Sequence, residues 1–150
     1  MDPIHFYSTS DDYGEFSNFS PHSILLDGKR WPTSEHYFQA QKFHDESHRE
    51  EIRRASTPML AAQLGRDRKK KLRPDWERIK DGVMKDAVLA KFSQHAELAA
   101  LLLATGEAML VEHTANDAYW GDGGHGRGRN RLGQILMQVR EVLRVKSSGA

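Results

Sequence analysis

The chain has 150 residues, of which 38% are hydrophobic and 29% are charged, and its formal net charge is +1. This length and composition predict one soluble globular domain, residues 1–150, with a hydrophobic core of its own. The absence of cysteine excludes a disulfide scaffold, a thiolate zinc site and a cysteine nucleophile. No apolar run has the length of a membrane span and the N-terminal residues have no signal-peptide pattern, so we expect a cytoplasmic protein without a membrane partner.

The first third of the chain is predicted to contain short strands and one helix. Ile4–Tyr7 has the pattern of a strand. Ile24–Trp31 has the pattern of a hairpin, because the Asp-Gly pair at 27–28 favours a type I′ turn. Thr33 or Ser34 then supplies an N-cap for a helix over Glu35–His44.

The rest of the chain is predicted to be mainly helical. Apolar spacing and capping residues predict helices at Ser47–Ala55, Thr57–Gly65, Asp81–Gln94, Ala96–Ala104 and Leu132–Leu143, and a strand at Met109–Val111. We therefore expect an α+β fold, a mainly helical single domain with its core at about residues 4–143. One small sheet would join the N-terminal strands to the strand before the last helix. Residues 145–150 are small and polar, and they are predicted to form a frayed tail.

The segment before the last helix is rich in glycine, which lets its backbone approach a ligand closely. Asn130 stands at the N-cap position of that helix, where free N–H groups and the helix dipole would suit a phosphate. The glycines match neither the Walker nor the G-x-G-x-x-G pattern, and a plain turn is the alternative. Neighbouring aromatic, acidic and basic side chains favour a nucleotide-like ligand. The segment's notable residues are Asp117, Tyr119, Trp120, Gly121, Asp122, Gly123, Gly124, Gly126, Arg127, Gly128, Arg129 and Arg131.

The predicted helix that begins near Glu35 carries an unusual polar face. Glu35, Gln39 and Lys42 lie at positions i, i+4 and i+7, with Phe38 at i+3, and therefore share one side of the helix. The helix dipole favours the ionised form of a first-turn carboxylate. An ordinary first-turn glutamate with a solvated lysine is the alternative, and the spacing alone leaves both interpretations open.

Two further features are ambiguous. Trp76 lies in a polar segment and is either a core residue or a surface for stacking. The basic run Arg66–Arg73 is either a solvated surface or, at Arg66, a phosphate contact, with Lys69–Lys71 raising the local potential. The eight histidines show no metal-ligand spacing, so we expect no metal site.

Five motifs resemble those of the NADAR (YbiA-like) superfamily. In chain order they are F-Y-S-T-S-D-D-Y-G-E-F-S-N-F, W-P-T-S-E-H-Y-F-Q-A-Q-K-F, G-R-D-R, D-W-E and L-V-E-H-T-A-N-D-A-Y-W-G-D-G-G-H-G-R-G-R-N-R-L-G. The motifs are long and follow the order of the family, and the resemblance extends from about Ile4 to Leu143. It implies the YbiA-like fold.

The resemblance also implies an activity. Members of the family cleave the N-glycosidic bond of phosphorylated ribosylaminopyrimidine intermediates of riboflavin synthesis, which releases ribose 5-phosphate and an aminopyrimidine. Other members remove ADP-ribose from guanine in nucleic acid. A non-catalytic module that binds a nucleotide or ADP-ribose is the alternative of another class. None of these three functions requires a cofactor. Only the removal of ADP-ribose from guanine involves a nucleic-acid partner.

The family's active-site glutamate falls on Glu35, its loop acid on Asp117, and its tryptophans on Trp76 and Trp120. Breaking a ribosylamine bond requires an acid–base group, since the leaving nitrogen must be protonated while positive charge develops at C1′. Glu35 could protonate that nitrogen or activate water, and Lys42 could bind the phosphate or attack C1′ as a nucleophile. The remaining residues assigned to substrate binding are Asn18, Phe19, Arg66, Gly121, Asp122, Gly128 and Asn130.

Overall fold

The computed structural model describes residues 1–148, which form an α+β architecture dominated by helices, as the sequence predicts. The strands are β1 (Ile4–Phe6), β2 (Ile24–Leu26), β3 (Lys29–Trp31) and β4 (Leu110–Glu112). The helices are α1 (Ser34–Ala40), α2 (Glu46–Arg53), α3 (Pro58–Gly65), α4 (Trp76–Gln94), α5 (Ala96–Ala104) and α6 (Arg131–Ser148), with a 3-10 turn at Gly14–Phe16.

The strands form two separate pairs, so the prediction of one sheet is wrong. β1 runs parallel to β4, with Ile4 opposite Leu110. β2 and β3 form the predicted antiparallel hairpin, and its turn has φ of 55° at Asp27 and 76° at Gly28. Positive φ at both central residues is the signature of a type I′ turn. β1 and β4 belong to one compact unit of the chain, and β2 and β3 belong to the other.

One compact unit contains residues 1–20 and the chain from Phe92 onward, and the other is Pro21–Lys91. In the second unit, α1 contacts α2, α3 and β3, and every residue of α1 is buried. A helix that is enclosed on all sides has no solvated face, so the polar side chains of α1 lie inside the protein.

Local hydrogen bonds set the limits of α1. The Thr33 hydroxyl oxygen accepts the backbone N–H of His36 at 3.2 Å, which confirms Thr33 as the N-cap. The helix ends at Ala40 rather than at the predicted His44. The reason is that the N–H groups of Lys42 and Phe43 bond to carbonyls three residues back, which tightens the chain into a turn.

His36 completes this network within the second unit. Its Nε2 donates to the Ala55 carbonyl at 3.0 Å, and its Nδ1 accepts from the Thr33 hydroxyl at 2.8 Å. Burial lowers the pKa of His36, although the hydrogen bond to Ala55 opposes that shift. The imidazole is therefore held in its neutral form.

In the first unit, α6 contacts β4 and α5. Arg140 of α6 is buried and donates to the Ala108 carbonyl at 2.8 Å and to the Thr105 hydroxyl at 3.0 Å. The helix continues to Ser148, where the sequence predicts a frayed tail from Val145, because side-chain and backbone bonds extend it. The last two residues of that predicted tail lie outside the described part of the chain.

α4 begins at Trp76, five residues before the predicted Asp81. Within residues 1–148 no single helix is both long and apolar enough to span a membrane, although the bent pair of α4 and α5 meets the criteria of length and composition together.

Candidate active site

The polar face of α1 forms the centre of the second unit's candidate site. Glu35 is 7% exposed and Gln39 is 4% exposed. Lys42 follows the helix, and its Nζ donates to the Gly65 carbonyl at 3.4 Å. Glu35 is therefore not a solvated residue, since the helix is buried on every side, and its catalytic role stays a prediction.

The charge of Lys42 is set by its surroundings. Burial lowers the pKa of the Lys42 ammonium, the Glu35 carboxylate raises it, and the Arg66 guanidinium lowers it again. The net result is a pKa below the ordinary value of 10.5. Lys42 therefore loses its proton more readily than a surface lysine, and Glu35 and Arg66 both act on it.

The close approach of α3 to α1 fixes the side chain of Gln39. A methyl group added to Gly65 would collide with the Gln39 amide oxygen and would lie 2.8 Å from its Cβ and Cδ atoms. Glycine at position 65 thus makes room for the carboxamide. The Gln39 Oε1 atom is enclosed and has no hydrogen-bond partner.

Trp76 and Arg66 lie in the same unit as Glu35. The Trp76 indole is 5% exposed and packs edge to face on Phe38, with ring centroids 5.1 Å apart. Of the two interpretations left open, this burial favours the core residue, and base stacking by Trp76 stays a prediction. Arg66 is exposed at the end of α3, so its guanidinium can reach a soluble anion.

The basic run is not a uniform solvated surface. Lys70 is largely covered: its Nζ contacts Glu51 at 2.9 Å and donates to the Leu64 carbonyl at 3.2 Å. Lys69 and Lys71 are exposed. A shallow cavity of about 340 Å³ lies beside Lys71 and is also lined by His44, His48, Leu72 and Arg73.

In the first unit, two carboxylates accept backbone hydrogen bonds within the glycine-rich loop. Asp117 Oδ1 accepts the N–H groups of Tyr119 and Trp120 at 2.9 and 2.8 Å. Asp122 is buried and accepts the N–H groups of Thr114 and Gly124 at 3.0 and 2.9 Å. These bonds give the loop a fixed shape without regular secondary structure.

The sequence gives no signal that His113 is the partner of Asp122. The His113 Nδ1 atom lies 2.7 Å from Asp122 Oδ2. Burial raises the pKa of Asp122, but the bonds from His113, Gly124 and Thr114 outweigh it and bring the pKa to about 2. Nine residues separate the two side chains, and only the folded loop brings them together.

The expected free N–H groups at the start of α6 are not found at Asn130, Arg131 and Leu132, and phosphate binding there stays a prediction. The N–H groups of Asn130, Arg131 and Leu132 donate to carbonyls of Gly121, Tyr119 and Trp120, at distances between 2.9 and 3.0 Å. These donors are therefore occupied by the loop itself. A phosphate would have to displace them or bind elsewhere.

Asn130 does not cap α6 as the sequence suggests. Its φ is 51°, its Oδ1 accepts the N–H of Glu112 at 2.9 Å, and its Nδ2 donates to the Leu110 carbonyl at 2.9 Å. The carboxamide completes the edge of β4, which is a structural role. Its assignment to substrate binding stays a prediction.

Gly121 and Gly128 are glycines because backbone passes close to them. A methyl group on Gly121 would lie 2.9 Å from the carbonyl oxygens of Glu112 and Asp117. One on Gly128 would lie 2.7 Å from the Gly121 carbonyl oxygen. These glycines therefore hold the loop together, whereas the positive φ angles occur at 123, 124 and 126.

Three aromatic or amide residues complete the assigned set in the first unit. Trp120 is half-buried and lies edge to face with Tyr119 at 4.9 Å. Asn18 is buried, and Phe19 is half-buried with its N–H bonded to the Ser17 hydroxyl at 3.1 Å.

An α+β fold that buries a carboxylate on α1 and places a half-buried lysine just after that helix holds the groups that acid–base and covalent catalysis use. The family model described as the NADAR domain matches residues 5–144. The chain therefore belongs to the NADAR domain family, which confirms the resemblance seen in its motifs.

Characterised relatives extend this assignment. The chain is 68% identical over 143 residues to N-glycosidase YbiA of Escherichia coli (strain K12), covering 95% of this chain and 89% of that protein. It is 49% identical to riboflavin biosynthesis protein VVA0006 of Vibrio vulnificus (strain YJ016), over 94% of this chain and 38% of that longer protein. The NMR structure of the E. coli protein YbiA superimposes with a TM-score of 0.93 at 66% identity, covering 99% of this chain and 89% of that one.

Proposed function

We propose that the protein is an N-glycosidase that hydrolyses the C1′–N bond of phosphorylated ribosylaminopyrimidines of riboflavin synthesis. The products are ribose 5-phosphate and the aminopyrimidine. The observation that carries the proposal is the buried α1 face, where Glu35 acts on the charge of Lys42. Relatives named N-glycosidase and riboflavin biosynthesis protein support the reaction and the substrate class.

Glu35 supplies the proton transfer. An amine that leaves as an anion is a poor leaving group, so the nitrogen must be protonated as the C1′–N bond breaks. A carboxylic acid at Glu35 gives its proton to that nitrogen, and the resulting carboxylate then takes a proton from the attacking water. The negative charge also stabilises the cationic sugar that develops in between.

Lys42 serves as the nucleophile. A residue that only binds phosphate gains from a raised pKa, whereas burial and Arg66 lower the pKa of Lys42 and enlarge its neutral, nucleophilic fraction. The amine adds to C1′ of the ring-opened sugar, and the base nitrogen leaves with a proton from Glu35. Water then adds to the C1′ iminium, the C1′–Nζ bond breaks, and ribose 5-phosphate and free lysine are restored.

Arg66 binds the phosphate of the substrate. Arg66 is exposed and close enough to Lys42 to lower its pKa, so a phosphate bonded to it would lie near the reacting carbon. Trp120 is half-buried, and its assignment to base stacking stays a prediction. Asp117 keeps the backbone that carries Trp120 in place. We expect the enzyme to act in the cytoplasm and without a cofactor.

A chromatographic assay of base release tests the proposal. The purified protein should release aminopyrimidine and ribose 5-phosphate from a ribosylaminopyrimidine 5′-phosphate. Borohydride should trap a sugar adduct on the wild type, located at Lys42 by peptide mass spectrometry, and no adduct on Lys42→Arg, which keeps the charge. Lys69→Arg is the matched control at an exposed position. Turnover without a trapped adduct would assign the attack to water, and no turnover would refute the proposal.

A hydrolase of ADP-ribosylated guanine is the second candidate. The observation that favours it is the exposed basic run, which begins at Arg66 beside Lys42 and includes Lys69 and Lys71. Such a surface would attract a polyanion. Replacing Lys69 and Lys71 with alanine should leave turnover of the small substrate within about tenfold, since exposed charges act through screened attraction. A loss confined to ADP-ribosylated nucleic acid would support this candidate.

A further inference from the structure

The Gln39 carboxamide lies on the same helix as Glu35 and packs against the glycine that Lys42 contacts. Gln39 is four residues after Glu35 in α1, and such neighbours on a helix have Cβ atoms about 5–6 Å apart. It lies against Gly65, whose carbonyl accepts the hydrogen bond from Lys42 Nζ. The Gln39 side chain is 4% exposed, and Oε1 has no hydrogen-bond partner. An enclosed polar atom without a partner is unfavourable in a folded protein and requires an explanation.

Packing does not explain why this residue is a glutamine. The Cβ and Cδ atoms of Gln39 fill the space beside Gly65, which a methionine side chain of similar length would also fill. A methionine would carry no unpartnered amide. The carboxamide of Gln39 therefore adds a hydrogen-bond acceptor that the free protein does not use.

We infer that Gln39 is a substrate-contacting residue whose amide oxygen accepts the N–H of the nitrogen that joins the sugar to the base. This inference rests on the proposed function and narrows its substrate class to exocyclic ribosylamines. No hydrogen bond holds Oε1 in place, and the terminal torsion of a glutamine side chain is broad. Rotation of the carboxamide can thus present the oxygen beside Glu35 without breaking an existing bond.

The contact from Gln39 matters because of the hydrogen-bonding groups that the linking nitrogen carries. In the closed ribosylamine, and again in the aminal that forms when Lys42 adds to C1′, the exocyclic linking nitrogen carries one N–H and one lone pair. When Gln39 accepts the N–H, the lone pair has one remaining direction, toward the proton donor Glu35. A ring-nitrogen nucleoside has no N–H at this position, so Gln39 would be left without a partner and the compound would be rejected.

Two compounds and two variants test the inference. The compounds are the ribosylaminopyrimidine 5′-phosphate and its analogue methylated at the linking nitrogen, which lacks the N–H. For the wild type we expect the ratio of kcat/KM values to favour the N–H compound by about tenfold or more. In Gln39→Met, the ratio of kcat/KM values should fall by about tenfold. It should then be close to the ratio set by the intrinsic reactivities of the two compounds. Gln63→Met, an exposed position in α3, is the matched control and should keep the wild-type ratio.

The outcomes separate the inference from the proposed function. Base release by the wild type with the same ratio in Gln39→Met would overturn the inference alone. No base release from either compound would refute the proposed function, and the inference would fall with it.

A measurement on the unaltered protein covers the case in which Gln39→Met does not fold. The side-chain amide resonances of Gln39 in labelled wild type should shift when a non-hydrolysable N–H analogue is added, and less with its N-methyl form. Equal shifts with both analogues, or none with either, would overturn the inference.

Discussion

Replacing Glu35 with glutamine removes the charge and the transferable proton but keeps the size of the side chain. General acid–base catalysis contributes about a hundredfold to ten-thousandfold in rate, which corresponds to about 3–5 kcal/mol of activation free energy. We expect kcat to fall by at least the lower figure. The helix should persist, because Thr33 provides the N-cap, and the lost dipole interaction should cost about 0.3–1 kcal/mol of the free energy of unfolding.

The Glu35→Gln substitution should also lower the pKa of the Lys42 ammonium. The Glu35 carboxylate raises the pKa of the Lys42 ammonium against the larger effect of burial. Removing that carboxylate lowers the pKa further. The limb of the pH–kcat profile that reports deprotonation of Lys42 should therefore move to lower pH in Glu35→Gln. A merely structural role for Glu35 would not move it in this direction.

Glu46→Gln is the matched control, since Glu46 is the first-turn glutamate of α2 and is exposed. It should keep wild-type kcat. The assay is base release under single-turnover conditions, with folding checked by urea denaturation. A folded Glu35→Gln protein with near wild-type turnover would refute the role of Glu35 and would direct attention to Asp117 or Asp122.

Three further predictions concern the structure that supports the site. Gly65→Ala should lower the free energy of unfolding by about 1–3 kcal/mol because its methyl group collides with α1, whereas Gly82→Ala, with open space around it in α4, should raise it by about 0.5–1 kcal/mol. Urea denaturation checks both, and equal effects would contradict the packing. Asn130→Ala should destabilise the protein by about 1–3 kcal/mol through two unpaired backbone groups of β4, measured against the exposed Asn116→Ala. Because burial lowers the pKa of His36, the unfolded chain takes up its proton first, so stability should decline as pH falls below about 6.5. Urea midpoints measured across pH should decline less steeply in His36→Asn, and parallel curves would rule out this residue as the cause.

Local signals in the sequence determined most elements near the site. The Asp-Gly pair specified the type I′ hairpin turn, Thr33 specified the start of α1, and Thr57 with Pro58 specified α3. Each signal acts within one turn of chain, through φ preferences or a side-chain cap. The common side of Glu35 and Gln39 on α1 also followed from helical periodicity, whereas Lys42 lies beyond the end of the helix.

Burial and long-range partners were decided only by the tertiary structure. Sequence reasoning left Trp76 open between core and surface, and its packing on Phe38 shows that it is buried. Asn130 stands where a cap belongs, but its carboxamide bonds to β4, twenty residues away along the chain at Leu110. Spacing shows which side chains share a face of one element. Which other segment meets that face, and so which polar groups find partners, depends on how the whole chain packs.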